Sequence, residues 1–181
     1  MLYSLFGAVF LLVSLILALI IFGSANLMLI QTFNFSLNLE MLLAFLFCIG
    51  FGVKIPIFPL HYWLPEVHTE NSTAGSVMLA GILLKLGIYG LIRFTVPLFN
   101  VGSGFWAPLI FLVCLVGSLI ASLSCLLDSY DVKTIIAYSS ISHCSFSIAS
   151  LFTLSIWGLM GCVITSLAHS VICSVGFTIA G

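Results

Sequence analysis

From about Leu2 to Phe22 the chain runs through LYSLFGAVFLLVSLILALIIF without one charged side chain, and comparable apolar stretches recur until Gly181. A run of about 20 such residues matches the hydrocarbon thickness of a bilayer when wound into a helix. Inside hydrocarbon every backbone polar group must be paired within the protein, so only helices and closed barrels can span it. A barrel strand needs roughly 10 residues, far fewer than these runs supply. The expectation is an all-α, polytopic transmembrane bundle forming a single domain over residues 1–181. Composition agrees: 62% of residues are hydrophobic, 5% are charged and the mean hydropathy is +1.37. Four Lys+Arg and five Asp+Glu make neither a basic stripe nor an acidic tail, which excludes nucleic acid as a main partner and leaves membrane lipid.

Six spans are expected. The first is Leu2 to Phe22, read as a retained helix because no positive residue precedes it and further spans follow. A polar connection from Gln31 to Glu40 leads to the second, whose far half reads FGVKIPIFPLHYWLP. Pro56, Pro59 and Pro65 have no amide hydrogen, so carbonyls about four residues earlier lose their partners and the helix must break. A connection carrying His61, Glu66, His68 and Glu70 follows, then a third span from Ala74 to about Leu98. Asn100 to Gly104 reads as a turn, Phe105 to Leu127 as the fourth span, Asp131 to Phe152 as the fifth and Ser155 to Ala180 as the sixth.

An ionisable side chain near the bilayer centre costs about 2.5–3.5 kcal/mol on insertion scales and persists mainly when it faces protein or a hydrated path. Four residues meet that description: Lys54, Lys85, His143 and His169. Lys54 sits just before the proline cluster, where freed carbonyls could solvate an ammonium; a lysine reaching to the interface is the competing reading. Lys85 lies near the middle of its span, out of reach of the interface, with Gly81, Gly87 and Gly90 on the same helix to allow close neighbours. His143 has Ser139, Ser140 and Ser147 within one turn on either side, and His169 has Thr165, Ser166 and Cys173 likewise. Such stripes suit either proton relay or interhelical hydrogen bonding that only fixes packing. Glu66, His68 and Glu70 are of metal-ligand type, but a solvated loop is the better reading. The six cysteines lie in apolar runs without ligand-like spacing and read as small buried hydrophobes. Arg93, Asp128, Asp131 and Lys133 stand near helix ends. No phosphate loop, iron–sulfur motif or nucleophile–base set is present, so no redox or metal site is expected in this chain.

The segment KIPIFPLHYWLPEVHTENSTAGSVMLAGILLKLGIYGLIR (54–93), followed in order by DVKTIIAYSSISH (131–143) and SLAHS (166–170), resembles the signature of subunit 4 of respiratory NADH dehydrogenase. The sister antiporter-like subunits and the bacterial cation/proton antiporters share its lysines but match its flanks less well. The resemblance implies a proton-translocating membrane-arm subunit of NADH:ubiquinone oxidoreductase in the mitochondrial inner membrane. Lys54 and Lys85 would lie on its buried hydrophilic axis, and His143 and His169 would lead that axis towards an exit. NADH, FMN, iron–sulfur clusters and ubiquinone would belong to other chains, and the partners would be other membrane subunits of the complex. Against the family pattern, the upstream glutamate and the later acidic residue of the relay are absent, and Glu70-Asn71-Ser72 stands where the family has Glu-Ala-Pro. These departures point to a split subunit completed by separate chains. A stand-alone antiporter component and a structural membrane piece are the rival readings.

Overall fold

The computed structural model describes residues 2–23, 30–31, 36–127 and 131–181. The described residues are helical throughout, joined by short turns: α1 (Leu2–Phe22), α2 (Leu37–Lys54), α3 (Trp63–Glu70), α4 (Thr73–Leu98), α5 (Asn100–Leu127), α6 (Val132–Leu151) and α7 (Ile156–Ala180). Five of these, α1, α2, α4, α5 and α7, are long and apolar enough to cross a membrane. The remaining expected span, α6, is a 20-residue helix too rich in serine to qualify on apolarity. Its position explains why it can be polar: α6 packs between α5 and α7 and beneath α3, so protein rather than lipid surrounds much of it. Asp128 and residues 32–35 of the expected 31–40 connection lie outside the described residues, and Leu37 to Glu40 belong to α2.

The break after α2 follows from proline chemistry, residue by residue. Ile55 makes the last regular bond, donating to the Phe51 carbonyl. Pro56 cannot donate to Gly52, so the Ile57 amide takes that carbonyl instead, at 3.0 Å. The Val53 carbonyl, thereby freed, accepts the indole N–H of Trp63 at 3.1 Å. Pro56 and Pro59 fall in this break, whereas Pro65 does not break anything: it occupies the first turn of α3, where a missing amide hydrogen is harmless. The connection expected to be a solvated loop is therefore largely the helix α3. Glu66 and Glu70 are exposed, but His68 is fully buried against Phe177, with ring centroids 4.4 Å apart.

Two further expectations are corrected. Asn100 to Gly104 is the opening of α5 and not a turn, because Glu40 Oε1 on α2 accepts the otherwise unpaired amides of Val101 at 2.8 Å and Gly102 at 3.1 Å. Of Gly81, Gly87 and Gly90 on α4, only two permit close approach of another helix. A Cβ on Gly87 would overlap Ile55 and one on Gly90 would overlap Phe51, while Gly81 faces open space. The two seated glycines hold the end of α2 against α4, and with it the lysine that closes α2.

The main core cluster spans this junction. Ile55, Leu64, Leu84, Ile88, Leu91, Cys114, Ile141, Cys144, Ile148 and Cys162 are buried together in it. α7 lies along the first half of α4, so α4, α6 and α7 converge where Lys85 emerges.

Candidate functional site

Lys85 projects from α4 just after a widened helical turn over Leu79–Leu83. Such π-type turns leave carbonyls imperfectly paired within the helix, and the Lys85 ammonium reaches back to donate to one of them, Ala80 O, at 2.5 Å. Its second partner is on another helix: Lys85 Nζ lies 2.8 Å from His169 Nδ1 on α7. Lys85 is half-buried and His169 is 4% exposed, so the contact is largely shielded. A lysine at mid-span thus finds a backbone carbonyl and an imidazole in place of water, the kind of environment that lets an ammonium stay in a bilayer.

From His169 the polar contacts continue. Its Nε2 is 3.0 Å from Cys173 Sγ, and Cys173 Sγ is 3.1 Å from Ser140 Oγ on α6. Ser140 in turn donates to the Ile136 carbonyl at 2.9 Å. The His143 ring on α6 faces that of His169 with centroids 5.8 Å apart. One turn further along, Ser147 Oγ and Thr165 Oγ1 join α6 to α7 at 2.9 Å.

The residues singled out by sequence divide accordingly. Lys85, His143, His169, Ser140, Ser147 and Thr165 come together in the seam of α4, α6 and α7. Ser139 and Ser166 donate to carbonyls of their own helices, at Ile136 and Val163. Lys54 and His143 are exposed in this chain, Lys54 on the wall of a cavity of about 400 Å³ bounded by Tyr3, Trp63, Val67, Leu79 and Leu83. Lys133 donates to the Asn71 carbonyl at 3.5 Å, while Arg93 and Asp131 are exposed.

Four polar groups, Cys173, His61, His68 and Ser145, have surroundings that spacing along the chain does not fully give. Cys173 is a hydrogen-bonding bridge and not merely a small hydrophobe; its place four residues after His169, on the same face, was the available signal. His61 and His68 are buried outside the spans, and burial lowers the pKa of both, His68 to about 4. Ser145 is fully buried as well, with no protein partner for its hydroxyl among the described residues. Among those residues no three His, Cys, Asp or Glu side chains converge as a metal site would require.

Comparison with known proteins agrees with this architecture. The NADH-ubiquinone oxidoreductase chain 4 of Chondrus crispus is 43% identical over 180 residues, covering 99% of this chain and 36% of that protein. The protein of the same name from Triticum aestivum is 41% identical over the same shares. The chain thus spans about a third of the length of the curated relatives it matches. Among solved structures, a chain of respiratory complex I from Thermus thermophilus with bound NADH superposes with a TM-score of 0.86 at 26% identity, covering 99% of this chain and 38% of that one. A family model matches residues 1–181 in full, and the chain belongs to the family it describes, the transmembrane proteins of NADH:quinone oxidoreductase and the Mrp antiporter.

Proposed function

We propose that this chain forms part of a proton-translocating subunit in the membrane arm of NADH:quinone oxidoreductase, in the mitochondrial inner membrane. Lys54, Lys85, His143 and His169 are its relay groups. The observation that carries the reading is the contact between Lys85 Nζ and His169 Nδ1, which joins two proton-exchanging groups across a helix seam at mid-span. When one amine or imidazole in such a cluster gains a proton, charging its neighbour costs more, so a proton held on Lys85 favours a neutral His169 and the reverse. Occupancy at one position is thereby coupled to the next. Lys54, on the wall of the neighbouring cavity, would feed or drain Lys85, and the hydroxyls of Ser140, Ser147 and Thr165 flank the histidines one turn away along α6 and α7. Ser139 and Ser166 support these helix faces from their own carbonyls.

The remaining helices, and the acidic groups that complete the relay, would come from the rest of the subunit or from further membrane subunits of the complex. NADH, FMN, iron–sulfur clusters and ubiquinone would be bound by other chains, and energy would reach this one through conformational or electrostatic change. The test is NADH-driven proton uptake in membrane vesicles holding the assembled complex. Lys85→Met should abolish it without removing the subunit; undiminished uptake in that variant would overturn the proposal. The family's antiporter branch supplies the second reading. Sodium-dependent proton movement without NADH, lost in the same variant, would favour it.

A further inference from the structure

The relay reading uses one nitrogen of His169, the Nδ1 that faces Lys85. The other nitrogen is held by a line of groups that this role does not require. A protonated lysine is a donor with no acceptor capacity, so the ammonium of Lys85 must donate to Nδ1, at 2.8 Å. A neutral ring that accepts at Nδ1 carries its hydrogen on Nε2. That hydrogen then points at Cys173 Sγ, 3.0 Å away. The thiol, having accepted, is left with its own hydrogen to give, and Ser140 Oγ stands 3.1 Å from the sulfur. The Ser140 hydroxyl is itself committed as a donor to Ile136 O at 2.9 Å, which leaves its oxygen lone pairs free to accept from the thiol. Each contact in the series has one donor and one acceptor and the direction is the same throughout, from Lys85 to the α6 backbone.

We infer that Cys173 is a positioning residue: with Ser140 behind it, it holds His169 in the tautomer that presents a bare Nδ1 to Lys85. The inference rests on the relay reading above. It needs no accessible thiol, since Cys173 is 2% exposed and Ser140 fully buried. It also accounts for the choice of partner: an apolar side chain at 173 would leave the buried Nε2–H unpaired. The Nε2–H tautomer would then rest on Lys85 alone, and would be lost whenever that amine is neutral and can accept a hydrogen from Nδ1.

Two substitutions of nearly equal shape separate positioning from packing. Cys173→Val and Cys173→Thr differ by one hydroxyl, so a purely steric role would treat them alike. In the assembled complex, Val is expected to lower NADH-driven proton uptake by roughly 10- to 100-fold, the loss typical of removing an orienting hydrogen-bond partner. Thr and Cys173→Ser should stay close to the unsubstituted rate. Equal rates for Val and Thr, whether both high or both low, would overturn the inference. Infrared spectroscopy gives an independent readout in the same membranes. The S–H stretch of Cys173, identified by its loss in Cys173→Ser, should lie in the hydrogen-bonded range and move towards the free-thiol position in Ser140→Ala. A band that does not move would show that the thiol does not donate to Ser140 and would sink the proposal. His169→Gln keeps the two hypotheses apart: normal uptake in that variant defeats the relay reading itself, whereas loss there together with normal uptake in Cys173→Val defeats the positioning role alone.

Discussion

At the scale of single residues, Lys85, Glu40 and Lys133 set their charges where a backbone or a ring can receive them. Glu40 is the clearest case outside the relay. Its carboxylate accepts two amides at the start of α5, pairing donors that no preceding turn can satisfy and placing negative charge at the positive end of the helix. Glu40→Ala should destabilise this junction by about 1–2 kcal/mol, and Glu40→Gln, which keeps an acceptor oxygen, by less. Amide hydrogen exchange at Val101 and Gly102 measures it, and unchanged protection in the Ala variant would refute the capping role. His68 is the opposite case, a titratable ring with burial but no protein hydrogen-bond partner on either nitrogen among the described residues. Its pKa falls from 6.5 to about 4 because burial penalises the charged ring. Above pH 6.5 the ring is neutral whether α3 is docked or open, so docking does not depend on its proton. Between pH 6.5 and 4 the open form binds a proton that the docked form refuses, and docking weakens by up to about 3 kcal/mol. Exchange protection of α3, corrected for intrinsic rates, should therefore fall on acidification from pH 7 to 5. His68→Leu should flatten that dependence; the same slope in both proteins would mean that another group is responsible.

At the scale of elements, what sequence made legible and what it hid have separate physical causes. Helices α1, α2, α4, α5 and α7 announce themselves because lipid demands long apolar runs, and α6 is recognisable by its length after a charged link even though its serines spoil its apolarity. The break at Pro56 follows from one missing amide hydrogen. Hidden were the features that depend on a second helix: α3 inside the supposed loop, the capping of α5 by Glu40, and the widened turn whose Ala80 carbonyl takes Lys85. Lys85 and His169 were visible as costly side chains in apolar helices, but their pairing depends on how α4 and α7 pack, and no spacing within either helix encodes that. The glycines illustrate the same limit, since Gly81, Gly87 and Gly90 look equivalent along the chain. In the fold, a methyl group at Gly87 would drive into Ile55, while one at Gly81 meets nothing within 4 Å. Gly87→Ala should thus cost about 1–3 kcal/mol by overpacking, and Gly81→Ala should be neutral or slightly stabilising as a better helix former. Pairing Gly87→Ala with Ile55→Ala, which deletes the overlapping Cγ1, should cost less than the sum of the two single substitutions if the clash is real. Thermal denaturation of the complex in detergent reads all of these proteins, and equal effects at Gly81 and Gly87 would contradict the packing described for α2 against α4.

At the scale of the whole chain, polarity is arranged inside out. The flanks of α5 and α7 are apolar and exposed, with Leu112, Leu119, Ile164, Leu167 and Val171 among them, while the seam of α4, α6 and α7 holds the hydroxyls, thiol, imidazoles and amine. A bundle with no task beyond filling the membrane gains nothing from that inversion, because a lysine at mid-span costs about 2.5–3.5 kcal/mol to insert and its partners return only part of it. Stability and transport should consequently respond in opposite directions to one substitution. Lys85→Met removes the charge and keeps most of the stem, so the amount of inserted subunit and the thermal midpoint of the complex should equal or exceed those of the unsubstituted protein, even as proton uptake is lost. Leu119→Lys makes the reverse exchange, placing a charge on the exposed apolar flank of α5. On the membrane-facing reading of that flank it should lower the amount of inserted subunit while leaving uptake per assembled complex intact. Quantitative immunoblotting of membranes beside uptake assays resolves the four quantities. If Lys85→Met instead depleted the assembled subunit as severely as it depleted uptake, the lysine would be holding the seam together, and the inverted polarity would serve the fold and not proton transfer.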